Sequence, residues 1–212
     1  MQAHQLEGRL ACAGADSERA KACAARLLRE GAQALVSFGI AGGLDPTLTP
    51  GRLLLPERVR GTDEAEVAID DTWRRHIEML LAEAGHATAG GLHLGSAKVI
   101  AGRGDKESCF RKTGAAAVDM ESHAVAAVAA EAEVPLLILR AVADPAERNL
   151  PRLVIGGIGP DGEPRSGLIA ARLCLQPWRL NDLLRLREDT RQALKSLTEA
   201  IRVIGPALLG RL

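Results

Sequence analysis

The sequence predicts an α/β protein with three layers, in which a mixed central sheet is flanked by helices. Short apolar segments alternate with amphipathic helical segments, and most of them end at glycine or proline. The core must be aliphatic, because only 2% of the residues are aromatic. A chain of 212 residues fits one domain over 1–212 better than two. In such sheets ligands bind at the carboxyl ends of strands.

Three segments carry apolar residues at helical spacing. The first runs from Asp16 to Glu30, with Asp16 as the N-cap, and the second begins at Asp71 and ends before Gly85. The third runs from Leu180 to about Ile204. Its predicted apolar stripe consists of Leu180, Leu183, Leu184, Leu194, Leu197, Ile201 and Ile204.

Short apolar runs predict the strands. Residues 34–38, 53–55 and 97–101 are such runs, bounded by glycine or proline. Residues 115–143 predict one βαβ unit, with a strand that ends at Val118, a helix from Met120 to about Glu131 and a long buried strand from Val134 to Ala143. Residues 144–166 are rich in proline, glycine and arginine and predict a long loop beside the site.

Composition excludes several classes of function. Lys plus Arg and Asp plus Glu both number 27, and no basic run offers a track for nucleic acid or anionic lipid. No apolar stretch is long enough to span a membrane, and the first ten residues lack a signal-peptide core, so we expect a cytoplasmic protein with a small-molecule ligand. The histidines and cysteines lack metal-ligand spacing, so no metal is expected.

Acidic side chains lie at the predicted junction of strand and helix. Asp119 can cap a free N–H at the helix start, and Glu121 complements the positive end of the helix dipole. In a sugar pocket, Glu121 can instead accept hydrogen bonds from a ribose 2′,3′-diol while Met120 lies against the sugar. Spacing alone leaves both interpretations open.

Asp144 follows the long buried strand and precedes Pro145. An Asp-Pro step commonly begins a turn, but a buried carboxyl group at a strand end is also placed for general acid catalysis, because burial raises its pKa. Arg140 is a charge within an apolar run of the same strand. We expect it to form an ion pair with a carboxylate such as Glu121.

Three ordered segments, FGIAGGLDPTLTPGRLLLP, AVDMESHAVA and LLILRAVADPA, resemble the superfamily of nucleoside phosphorylases and methylthioadenosine nucleosidases. The residues of these segments are most similar to those of the hopanoid-associated phosphorylases, a bacterial branch of the superfamily. The resemblance covers residues 32–146. It implies a homo-oligomeric enzyme that releases adenine from an adenosine-type nucleoside, such as adenosyl-hopane, with inorganic phosphate as co-substrate and no cofactor.

The resemblance also implies roles for individual positions. The acid at Asp144 would protonate N7 of the purine, Glu121 would hold the ribose hydroxyls and Met120 would pack on the sugar. The glycine loop 39–43 would line the sugar or nucleophile side, where glycine lets the backbone approach a ligand. The other implied substrate-binding residues are Asp119, Val99, Ile100, Ala41, Gly42, Gly95 and Ser96.

This sequence departs from the family pattern at three places. Many phosphorylases have arginine where this chain has Ser37, and serine or threonine where it has Ile40, so phosphate would have to be held by Ser96, Lys98 or Arg103. The family's N-terminal strand has no counterpart in MQAHQLEGRL, and a missing strand exposes a sheet edge and favours association. The alternatives are hydrolysis of methylthioadenosine or adenosylhomocysteine, and a catalytically inactive nucleoside-binding protein.

Overall fold

The computed structural model describes residues 9–151, 154 and 179–209. The helices of this part are α1 (Ser17–Arg29), α2 (Asp71–Glu83), α3 (Arg103–Thr113), α4 (Ser122–Glu131) and α5 (Leu180–Leu209). Its strands are β1 (Leu35–Gly43), β2 (Leu53–Leu54), β3 (Arg58–Arg60), β4 (Glu66–Ala68), β5 (Thr88–Ala89), β6 (Leu92–Gly95), β7 (Ala117–Asp119) and β8 (Leu136–Asp144).

The predicted α/β class with a mixed sheet is confirmed. Eight strands form one sheet in the order β4-β3-β6-β7-β1-β8-β2-β5. Helices α1 and α4 pack on one face of the sheet, and helices α2 and α5 pack on the other. Helix α3 covers the same face as α2 and α5, because Phe110 packs against Leu94 and Val118.

Strands β7 and β8 do not form the predicted βαβ unit. Strand β1 lies between them, parallel to β8 and antiparallel to β7. Strand β7 therefore begins beside Gly43 and runs back along β1, so that Asp119, which follows Val118, extends toward Ala41 and not beyond the end of β1. The direction of β7 carries its acidic end onto the buried strands.

The predicted helices are present, but the apolar stripe of the last helix is partly wrong. Asp16 caps α1 by accepting a 2.9 Å hydrogen bond from the Arg19 N–H. In α5 the buried apolar face consists of Ala193, Leu197, Ala200 and Ile204, whereas Leu180, Leu184, Leu194 and Ile201 are exposed. Alanines carry half of that face, and a search for leucine and isoleucine overlooks them.

The predicted strand at 97–101 is wrong. Strand β6 lies just before it, and Ser96 turns the chain by donating a 2.6 Å hydrogen bond from its Oγ to the carbonyl of Lys98. Helix α3 follows, with its first N–H, that of Arg103, donating to Asn149 Oδ1. Most of the predicted loop 144–166 lies outside the described residues.

One edge of β1 is open over most of its length. Within the described residues β7 pairs only with Gly42 and Gly43, so residues 35–41 have a strand partner on the β8 side alone. Phe38 and Ile40 are 41% and 39% exposed, although β1 is an interior strand of the sheet. Within the described residues, the unpaired edge of β1 and the exposed side chains of Phe38 and Ile40 therefore border an uncovered surface, which we call the cleft. Among the described helices, none is both long and apolar enough to cross a membrane.

Candidate active site

Arg140, which lies opposite Gly39 of β1, is the centre of a buried ionic cluster. Its Nε lies 2.8 Å from Asp119 Oδ2, and its Nη1 lies 3.3 Å from Glu121 Oε2. Nη2 donates a 2.7 Å hydrogen bond to Ser37 Oγ, and Nε donates to Ser122 Oγ at 3.2 Å. The expected ion pair with Glu121 is confirmed, and Asp119 is a second counterion.

Asp119 has the capping role predicted from its position. Its Oδ1 accepts hydrogen bonds from the N–H groups of Glu121 and Ser122, at 3.2 and 3.0 Å. Burial by itself raises the pKa of the Asp119 carboxyl, but Arg140 and His93 outweigh burial and hold the pKa well below its usual range. Asp119 is therefore an ionised part of the scaffold.

Two histidines lie near Asp119, and the sequence offered no signal for either. His93 is buried, with its Nε2 3.4 Å from Asp119 Oδ2. His123 packs against Gly95, which lies opposite Asp119 in the register of β6 and β7. A side chain at Gly95 would collide with the imidazole of His123. Gly95 is thus required by packing, whatever its part in binding.

Glu121 is the partly exposed carboxylate of the Arg140 cluster. Its side chain is 16% exposed, and its carboxylate also accepts a hydrogen bond from the Ala15 N–H, in the segment before α1. Burial raises the pKa of Glu121, and the Arg140 guanidinium partly opposes the increase. Because 16% of its side chain is exposed, Glu121 can be reached by a ligand, next to the half-buried Met120.

Asp144 belongs to a second ion pair, and a β-bulge sets the direction of its side chain. The register of β1 and β8 shifts between Ala41 and Gly42, so that Asp144 and not Ala143 lies opposite Gly42. Paired residues share a sheet face, and Gly42 shares its face with Ile40 and Phe38. Bulges beside active sites commonly re-aim a side chain in this way. Asp144 is thus turned toward the face with the open cleft.

A lysine that the sequence analysis missed lies against Asp144. Lys106 of α3 is fully buried, and its Nζ lies 2.6 Å from Asp144 Oδ2. Burial raises the pKa of Asp144 and lowers that of Lys106, while the attraction between them opposes both shifts. No sequence pattern indicated Lys106, since its partner lies 38 residues away and α3 carries little apolar periodicity.

The remaining predicted residues surround these groups or serve the fold. Val99 is exposed, and Ile100 packs against α3. The next residue, Ala101, accepts a hydrogen bond from the N–H of Leu150, which ties this loop to the one after Asp144. Ala41 is buried in a small apolar cluster.

Of the three residues predicted to hold phosphate, Ser96 is engaged with the backbone, whereas Lys98 and Arg103 are exposed. Ser37 is buried and bonded to Ser122 and Arg140. The hydroxyl of Ser96 is engaged with the backbone of Lys98. In the described part of the chain, no cluster of three or more potential metal ligands occurs.

Comparison with known families identifies the fold. The sequence model of the phosphorylase superfamily matches residues 9–156, which include both ionic clusters. The chain belongs to the phosphorylase superfamily. A comparison with curated protein sequences found no match.

Solved structures of this superfamily share the architecture at low sequence identity. A mutant 5′-methylthioadenosine nucleosidase of Helicobacter pylori, with 5′-methylthioadenosine in its active site, aligns with a TM-score of 0.62 and 16% identity, covering 90% of this chain and 78% of that one. Futalosine hydrolase of the same organism aligns with a TM-score of 0.63 and 16% identity, covering 90% and 77%. A Colwellia psychrerythraea nucleosidase in complex with adenine aligns with a TM-score of 0.56 and 20% identity, covering 64% and 65%.

Proposed function

We propose that this phosphorylase-superfamily protein cleaves the N-glycosidic bond of an adenosine-type nucleoside. One observation carries the proposal: Glu121 and Asp144 are both 16% exposed, and each is paired with a buried cation. Asp144 lies opposite Gly42 of β1, and Arg140, the cation of Glu121, lies opposite Gly39 of the same strand. Superfamily membership and the nucleosidase folds support the reaction class.

Asp144 is the proton donor to the departing base in this proposal. As the C1′–N9 bond breaks, its electron pair moves into the purine, and N7 takes a proton from the carboxyl group. A protonated purine leaves more readily because it does not depart as an anion. Burial raises the pKa of Asp144, which favours the proton-bearing form that an acid needs.

The cluster at Arg140 has a different part. Glu121 accepts hydrogen bonds from the ribose hydroxyls, and Met120 lies against the sugar. Two carboxylates share one guanidinium, so the cluster carries a net negative charge beside the sugar when both are ionised. Positive charge develops on the sugar as the bond breaks, and a fixed negative field lowers the energy of that state.

The motif resemblance favours inorganic phosphate as the nucleophile, whereas the charge distribution of the described residues favours water. Phosphate needs a cation that is free to bind it. Within the described residues, Arg140 is neutralised by carboxylates and Lys106 by Asp144, which leaves the exposed Lys98 and Arg103. This occupancy favours hydrolysis as a second candidate.

The substituent at the ribose 5′ position is proposed to be apolar. Phe38 and Ile40 give the cleft an exposed apolar wall next to Gly39 and Gly42. An adenosyl-hopane substrate rests on the motif resemblance alone. Methylthioadenosine, with its small thioether, is the alternative for the same wall.

Product analysis tests the reaction. Purified protein is incubated with adenosine, 5′-methylthioadenosine or adenosylhomocysteine, with and without phosphate, and adenine and the sugar product are separated by chromatography. Phosphorolysis yields adenine and a ribose 1-phosphate only when phosphate is present, and hydrolysis yields adenine and the free sugar in both. Wild-type protein that binds a nucleoside but never releases adenine is a binding protein, and the proposed reaction is then wrong.

A further inference from the structure

Lys106 is buried more completely than a lysine normally tolerates, and its surroundings match a charged ammonium group. The side chain is 0% exposed, and Nζ has three oxygen neighbours among the described residues. They are Asp144 Oδ2 at 2.6 Å and the carbonyls of Pro145 and Arg148, which accept hydrogen bonds at 3.0 and 3.1 Å. An ammonium group has three N–H donors for these three acceptors, whereas a neutral amine has two. The geometry therefore fits a cation.

From this geometry we propose that Lys106 is a positioning residue for the leaving-group acid: its ammonium group holds one oxygen of Asp144, orients the other toward the cleft and sets the affinity of that carboxyl for its proton. The inference rests on the proposed function, in which Asp144 protonates the purine. Lys106 acts through Asp144, since its side chain is fully buried and its Nζ lies against the Asp144 carboxylate.

Two further charges among the described residues act on Asp144 in opposite directions. Arg148 lies in the loop after Asp144 and forms an ion pair with Asp189 of α5. Asp189 raises the pKa of Asp144 and Arg148 lowers it, whereas Lys106 is the cation in direct contact with the Asp144 carboxylate. Removal of the Lys106 charge should therefore appear directly in the titration of Asp144.

The same contacts also give Lys106 a structural role. The experiment must therefore distinguish this role from the effect of Lys106 on Asp144. Its hydrogen bonds to Pro145 and Arg148 tie α3 to the loop that follows β8. A purely structural lysine would change stability and the amount of active protein. It would not change the pH at which the active protein loses its acid.

The direction of the effect follows from electrostatics. A nearby cation favours the ionised carboxylate, so a Lys106→Met substitution should raise the pKa of Asp144 by about one to three units. The acid form then persists to higher pH, and the alkaline limb of kcat/KM against pH should move upward by the same amount. Lys106→Arg retains the charge and should leave the limb near its wild-type position.

The experiment records pH profiles of adenine release for the wild type, Lys106→Met, Lys106→Arg and Lys112→Met. Lys112 is an exposed lysine on the same helix and serves as the matched control. An upward shift confined to Lys106→Met supports the proposal. A folded Lys106→Met protein whose alkaline limb coincides with that of the control overturns it.

A second measurement needs neither activity nor a folded methionine variant. The Lys106 Nζ resonance is titrated by nitrogen NMR in the wild type and in Asp144→Asn, which keeps the side-chain shape but removes the carboxylate. Loss of the counterion should lower the pKa of Lys106, and an unchanged pKa contradicts the pairing. If the pairing is present but the wild type releases no adenine, the proposed function fails while the ion pair stands.

Discussion

The two ionic clusters of this protein share one sheet but are built in opposite ways. At Arg140, one cation serves two carboxylates and two hydroxyl groups, and Asp119 is held ionised by its neighbours. At Lys106, one cation meets one carboxylate, and burial brings both groups closer to their neutral forms. The first arrangement fixes charge in place, and the second keeps a proton exchangeable. The proposed function needs both arrangements, a fixed charge that binds the sugar and an exchangeable proton for the base.

The largest structural effect is expected from breaking the Arg140 cluster. Arg140→Met leaves the buried Asp119 and Glu121 carboxylates without their cation, and such a loss typically costs about 3–5 kcal/mol of unfolding free energy. Denaturant unfolding measures the change. Arg75→Met is the control, because Arg75 forms an exposed pair with Asp71 that contributes at most about 1 kcal/mol. Equal stabilities of the two variants would remove the distinction between a buried cluster and a surface pair.

The Arg140 cluster was also the part most open to prediction. A single charge within the apolar run of β8 requires a partner of opposite charge, and Glu121 is the partner that the sequence predicts. Asp144 was predicted as the acid because it ends a buried strand, and that role stays a prediction. The ion pair of Arg140 could be predicted because it rests on a local conflict between charge and apolar surroundings.

The contacts that depend on long-range geometry could not be predicted. A strand of three residues, such as β7, carries no signal for its direction, so its antiparallel path beside β1 was missed. Lys106 lies in a polar helix and resembles a solvated lysine until α3 is placed against β8. The bulge that redirects Asp144 arises from the pairing of two distant strands, and neither strand shows it alone.

Glu121 tests whether the Arg140 cluster binds the sugar as well as stabilising the fold. Glu121→Gln removes a charged acceptor, and a lost hydrogen bond to a charged group costs about 1.5–3 kcal/mol, which corresponds to a rise in KM of roughly 10- to 150-fold. Steady-state kinetics with a 2′-deoxy substrate provides the control, because a substrate that lacks one hydroxyl should lose less on the same substitution. An unchanged KM would restrict Glu121 to a structural role.

Packing around Gly95 gives a further test of the Arg140 cluster. Gly95→Ala places a methyl group against the ring of His123, next to Asp119, and overpacking of this kind costs about 1–3 kcal/mol. Thermal unfolding measures the loss. Gly104→Ala, in the first turn of α3 and with open space around the added methyl group, should leave stability nearly unchanged. If both variants are equally stable, His123 does not hold Asp119 in place.

The smallest effect concerns pH. Burial raises the pKa of Glu121. In the proposed function ribose binding needs its carboxylate, so binding should be complete above that pKa and should be lost as pH falls through it. KM should therefore rise on acidification at a higher pH than an exposed glutamate would give. The dependence should disappear in Glu121→Gln. An acid limb that survives this substitution belongs to another group.

The most direct test of the account compares two leaving groups in the Asp144→Asn variant. Adenine needs a proton to depart, whereas the nitrophenolate of p-nitrophenyl riboside does not. We predict that the variant loses about 10²- to 10⁴-fold in kcat with adenosine, the range of general acid catalysis, and retains cleavage of the nitrophenyl riboside. Equal losses with both substrates would contradict the assignment of Asp144 as the acid that releases the base.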